Sequence, residues 1–168
     1  YGVDWAHMRP FIDEAWCGYS RPLEAVRETR RVLPDRPLVG GELVWLGDGT
    51  PYNLDTTEAN LFRRLTDSAG GVMVYYDWFV DGRFYRAISR VASVAADFER
   101  FFREGKRDDS LATVEAGDAA NVAAFTRGDE RLLFLFNHTA APRALRVLLK
   151  ELPAGVSGLD YWTRKPVA

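Results

Sequence analysis

Pro37-Leu38-Val39-Gly40-Gly41-Glu42-Leu43-Val44-Trp45 is an apolar run that carries one carboxylate near its far end. Leu38–Leu46 reads as a strand. A buried strand has little reason to hold an ionisable group, because burying an unpaired carboxylate is costly. A strand end that sets an acid and an indole into a cleft is one way to build a sugar site, which makes Glu42 and Trp45 the first candidates.

The pattern repeats on both sides of this run. Upstream, Phe11–Cys17 reads as a short strand. Pro22 then opens a helix at its first turn, where a missing N–H is harmless. Leu23, Val26, Arg30 and Leu33 share one stripe of that helix, and Pro34 and Pro37 stop it. Downstream, Gly47–Pro51 is a loop by composition. Asp55 with Glu58 predicts a capped helix start, Leu61, Phe62 and Leu65 give its buried face, and Gly70-Gly71 predicts its end. Val72–Trp78 is a third strand, apolar until Asp77. Asp81-Gly82 opens a long helix with Phe84, Ile88, Val91, Ala95, Phe98 and Phe102 at spacings of three and four, and Gly105 is its expected C-terminal glycine. Alternating strands and helices imply parallel strands joined by right-handed crossovers. The step of roughly 25–35 residues suits a (β/α) barrel. A doubly wound sheet would normally show a glycine-rich phosphate turn, and no G-x-G-x-x-G or P-loop is present.

From about Ser110 the pattern becomes all-β. Asn121–Arg127 and Arg131–Asn137 read as a hairpin joined by Gly128-Asp129-Glu130. Leu132–Phe136 is apolar on both faces, which predicts a central strand. Arg143–Lys150 alternates as a half-exposed strand does, and Tyr161-Trp162 is a candidate last strand. The expected architecture is therefore α/β. Residues 1–108 supply the C-terminal strands and helices of a barrel, and residues 109–168 form a small antiparallel β-sandwich.

Composition narrows the function. The chain has 168 residues, 47% apolar and 27% charged, with a net charge of −2. Nucleic acid is a poor partner for such a balance, and the Arg27–Arg31 cluster is interleaved with acid, as on a solvated helix face. One cysteine, Cys17, excludes an internal disulfide and leaves the compartment open. Two histidines, His7 and His138, without a Cys or His cluster give no metal site, and no apolar run spans a membrane. No cofactor is implied. Asn137-His138-Thr139 spells a glycosylation sequon.

The stretch Pro37-x-x-x-x-Glu42-x-x-Trp45 resembles the seventh-strand motif of the clan A (β/α)8-barrel glycoside hydrolases, in which a Pro opens the strand and its terminal Glu is the nucleophile. Gly71–Gly82, with Trp78 after an apolar strand, is similar to the eighth strand and its sugar-platform tryptophan. The resemblance implies barrel strands six to eight, a last barrel helix at Arg83–Arg103 and a following sandwich. It makes Glu42 the nucleophile and Trp78 a stacking surface. That clan carries its acid/base Glu after an Asn on the fourth strand, and no Asn-Glu pair occurs here. The implied acid/base then lies on the remainder of the barrel, upstream or on a second chain, and this chain would be inactive alone.

Glycosidic cleavage needs two carboxylates across the scissile bond, one to protonate the leaving oxygen and one to attack or activate water. Asp77 comes at a strand's C-terminal end, the catalytic face of a barrel; the alternative is a loop acid closing the turn to Gly82. Glu14 lies at the first strand, and Asp4 and Trp5 precede it as candidate substrate-loop residues. The expected function is a retaining glycoside hydrolase with Glu42 catalytic and Trp78, Asp77, Trp45, Asp4, Trp5 and Glu14 binding carbohydrate. The alternatives are a carbohydrate-binding or scaffolding barrel without the chemistry, and a lyase or metal-dependent hydrolase with its metal near Asp77 and Glu42.

Overall fold

The strand–helix alternation of the first part of the chain is the framework on which the candidate residues sit. A computed structural model describes residues 4–17, 23–44, 54–76, 81–115, 120–139, 141–150, 152 and 155–167, with the backbone alone at 23, 24, 42–44, 54–56, 69, 75 and 76. The chain divides into two compact units, Tyr1–Glu104 and Gly105–Ala168.

In the first unit a short helix α1 (Trp5–Met8) and a 3₁₀ turn (Arg9–Phe11) lead into β1 (Ala15–Cys17). Then follow α2 (Leu23–Val32), β2 (Leu38–Val44), α3 (Leu54–Ser68), β3 (Ala69–Tyr76), α4 (Gly82–Asp97) and α5 (Glu99–Arg103). The three strands are parallel and lie in chain order, with β2 central. Ala15, Cys17, Val26, Leu33 and Leu38 form one buried cluster between β1, β2 and α2, flanked by Trp5 and Ile12. Leu61, Leu65 and Val91 form a second, in which α3 and α4 meet Val72 and Val74 of β3. The helices therefore gather on one face of the sheet. This follows from the order of the strands: successive crossovers of one hand that never reverse direction put every helix on the same side. Trp16, which alternates with buried Ala15 and Cys17, is 56% exposed on the other face.

Two glycines allow β3 to begin where it does. Leu38 pairs with Ala69 but Gly40 pairs with Val72, so β3 carries an extra residue at Gly70-Gly71. A Cβ on Gly70 would sit 2.9 Å from the Leu38 nitrogen and closer still to its carbonyl oxygen, and Gly71 has φ +149°. Only glycine fits such a bulge.

A polar layer ties the helices to the sheet. Arg30 lies on the apolar stripe of α2, and its guanidinium donates to the Arg36 carbonyl at 2.8 Å and to the Ser68 carbonyl. The Arg27 Nε lies 3.4 Å from Asp67, a carboxylate whose side chain is only 2% exposed. At the start of α4, the Asp81 carboxylate accepts from the Arg83 N–H at 2.9 Å and the Phe84 N–H at 3.4 Å, the cap that the sequence predicts.

Several elements differ from the sequence reading. Phe11 belongs to a 3₁₀ turn, and strand β1 is only Ala15–Cys17. Helix α3 starts at Leu54, one residue before the expected cap Asp55, and Gly70-Gly71 falls inside β3 instead of ending α3. The long last helix is two helices, because Phe98 leaves helical geometry at φ −114°, ψ 20°. Its ring packs edge-on to Phe101 at 6.2 Å.

In the second unit every strand pair among the described residues is antiparallel. β4 (Lys106–Arg107), β6 (Ala120–Arg127) and β7 (Glu130–Asn137) form one sheet in the order β4-β6-β7. β5 (Ala112–Val114) pairs with β8 (Val147–Leu149), and β9 (Gly158–Leu159) with β10 (Pro166–Val167). The β6–β7 connection is the two-residue turn Gly128-Asp129, with Arg127 opposite Glu130 and Gly128 at φ +54°. Phe125 is buried against Phe134, edge to face at 6.2 Å. Among the described strands β6 is the central one, not β7, and Leu135 of β7 is exposed. Of the expected strand Arg143–Lys150 only Val147–Leu149 pairs, and Tyr161-Trp162 is a turn between β9 and β10.

Candidate functional site

Strand β2 puts the strongest candidate at the centre of the sheet. Its sequence, Leu-Val-Gly-Gly-Glu-Leu-Val, has one ionisable residue, Glu42. The backbone register pairs Glu42 with Val74 and places it two residues before Val44, the end of the strand. Position 42 alternates with Gly40, where an added Cβ would meet Arg64 of α3 at 3.0 Å. Its neighbour Val74 packs on the α3–α4 cluster. In an unbroken pleat, position 42 therefore belongs to the helix-covered face.

The face away from the described helices carries an acid–indole pair. Trp16 donates its Nε1–H to Glu14 Oε1 at 2.7 Å. Both side chains are exposed, so the pair offers a flat apolar ring beside a carboxylate that keeps acceptor capacity. The sequence pointed to Glu14 and to Trp5, Trp45 and Trp78. It did not single out Trp16, whose signal is period-two alternation with two small buried residues.

Asp4 and Trp5 are explained locally. The Asp4 carboxylate accepts from the His7 N–H at 3.1 Å and caps α1. Trp5 is partly buried against the cluster of Ala15, Val26 and Leu38. Trp45, Asp77 and Trp78 lie outside the described residues. The structure thus brings Glu14 together with Trp16, and it sets Asp4 and Trp5 into a cap and a core edge.

Cys17 is buried beneath the sheet. Burial pushes its thiol above the ordinary value, against the smaller opposing effects of a hydrogen bond with Thr29 and the charges of Arg30 and Arg64. Such a thiol is a poor nucleophile. Among the described residues no three His, Cys, Asp or Glu side chains converge as metal ligands. None of the described helices is long and apolar enough to cross a membrane.

Compared with known proteins, the chain matches no family model, no curated protein and no solved structure.

Proposed function

We propose that this chain is part of a carbohydrate-processing (β/α) barrel, a retaining glycoside hydrolase with Glu42 as nucleophile. The observation that supports this reading is the singly wound sheet: three parallel strands in chain order, helices on one face, and the one carboxylate of the central strand near its C-terminal end. That is the end of a barrel strand from which catalytic groups project. Glu42 would attack the anomeric carbon and form a glycosyl-enzyme ester. A second carboxylate about 5–5.5 Å away would protonate the leaving oxygen and then activate water. In this proposal the second acid comes from the remainder of the barrel.

The pairing of position 42 with Val74 favours a second reading, a carbohydrate-binding or scaffolding barrel in which Glu42 is structural. One pair of variants separates the two. With the complete barrel assembled, Glu42→Gln and Glu42→Ala should abolish hydrolysis of aryl glycosides and leave the melting temperature unchanged if Glu42 is the nucleophile. A drop in melting temperature with turnover retained would assign it to the framework instead.

A further inference from the structure

The hairpin of β9 and β10 exposes aromatic surface on a turn that is held rigid. The Asp160 N–H donates to the Lys165 carbonyl and the Arg164 N–H to the Asp160 carbonyl, both at 2.9 Å. The Asp160 carboxylate accepts from the Thr163 N–H at 2.6 Å and from its hydroxyl at 2.7 Å. These bonds hold the Asp160 carboxyl below the ordinary carboxylate range. Tyr161 and Trp162 sit in the turn edge to face, centroids 4.7 Å apart.

Two facts set this turn apart. Trp162 remains 50% exposed, so core packing does not account for it. Arg164 is the one described non-glycine residue with a positive φ, +57°. A side chain is disfavoured there, and such conformations persist where the surroundings over-determine them. The conformation places the guanidinium carbon 4.6 Å from the centroid of the Tyr161 ring. Among the described residues no carboxylate pairs with that guanidinium. The result is an exposed indole next to an oriented, uncompensated fork of donors.

We propose that this tip is a saccharide-binding site of the second unit. The C–H face of a pyranose stacks on Trp162, as apolar ring faces do on indole, and Arg164 donates to the sugar's hydroxyl or carboxylate oxygens. The site takes the ligand class of the proposed function, on which it rests to that extent, and uses nothing of Glu42.

Affinity electrophoresis of the 168-residue chain through gels containing laminarin, soluble xylan or polygalacturonate tests it, with tryptophan fluorescence as a second readout. At least one polysaccharide should retard the chain, and Trp162→Ala should weaken that binding at least tenfold with the far-ultraviolet circular dichroism unchanged. Arg164→Gly relieves the backbone and should raise the melting temperature while weakening binding severalfold, a combination that a merely structural arginine would not give. Preference for polygalacturonate over the neutral polymers would identify the carboxylate as the arginine's partner; the reverse would identify hydroxyls. Retardation kept at the parent level in Trp162→Ala would overturn the site at the hairpin and leave the proposed function, which rests on Glu42, standing. No retardation by any of the three polymers would also overturn it.

Discussion

At the residue scale, the polar groups under the sheet are the most informative. Arg30 interrupts an otherwise apolar stripe, and that interruption was visible in the sequence. Its meaning was not, because its acceptors are the carbonyls of Arg36 and of Ser68, the latter far away in sequence. Arg30→Met would keep the bulk of the stem and leave both carbonyls without this donor. A loss of about 1–3 kcal/mol is expected, read from urea unfolding; a change within error would show that water replaces the guanidinium without cost. Cys17 is buried with its thiol pushed up. It should resist iodoacetamide at pH 8 in the folded chain and react fully in denaturant, and rapid alkylation of the native chain would contradict that burial.

At the scale of elements, what was legible followed periodicity. Helices α2, α3 and α4 and strands β2, β3, β6 and β7 all announce themselves by apolar spacing or turn chemistry. What was not legible depended on partners distant in sequence. Gly70-Gly71 looks like a helix stop, and becomes a bulge only because β2 lies close beside it. Phe98 fits the spacing of one long helix, yet turns out of it to meet Phe101. Leu132–Phe136 looks like a central strand because every side chain is apolar, while hydrogen bonding gives the centre to β6. The candidate site was legible in part: Glu42 stands out as the charge in β2, but the capping role of Asp4 and the partner of Glu14 needed coordinates. Where α3 meets α4, Leu65 is buried with Leu61 and Val91. Leu65→Ala should cost about 2–5 kcal/mol, measured by guanidinium unfolding. A much smaller loss would mean that the pair of helices closes over the gap.

For the whole molecule, four hydrogen-bonded aspartates shape the response to acid. Asp35, Asp81, Asp108 and Asp160 are all held below the ordinary value of 3.8, chiefly by side-chain hydrogen bonds from Arg9, Arg83, Ser110 and Thr163 respectively. A carboxyl depressed in the folded state binds fewer protons there than in the unfolded chain. Its stabilisation is complete above the unfolded value and disappears as pH falls through the lower, folded value. The stability contributed by these four groups should therefore be flat from neutrality down to about pH 5 and decline below about pH 4. Asp35 and Asp81 are exposed and Asp108 and Asp160 half-buried at the surface, so each contribution is small. Melting temperatures between pH 2 and 7 would show the decline, and Asp81→Asn should make it shallower. An acid limb unchanged in that variant would remove Asp81 from the account.

The bulge at Gly70-Gly71 also acts as a phase setter for everything that follows it in β3. Side chains alternate between faces, so one inserted residue exchanges the two sets. With the insertion, Val72 and Val74 fall in step with Gly40 and position 42 and reach the helices. A regular ladder running on from the Leu38–Ala69 pair would instead set Gly71 opposite Gly40 and Met73 opposite position 42, and turn the valines to the other face. Two residues without side chains thereby decide which half of the strand packs on the helices.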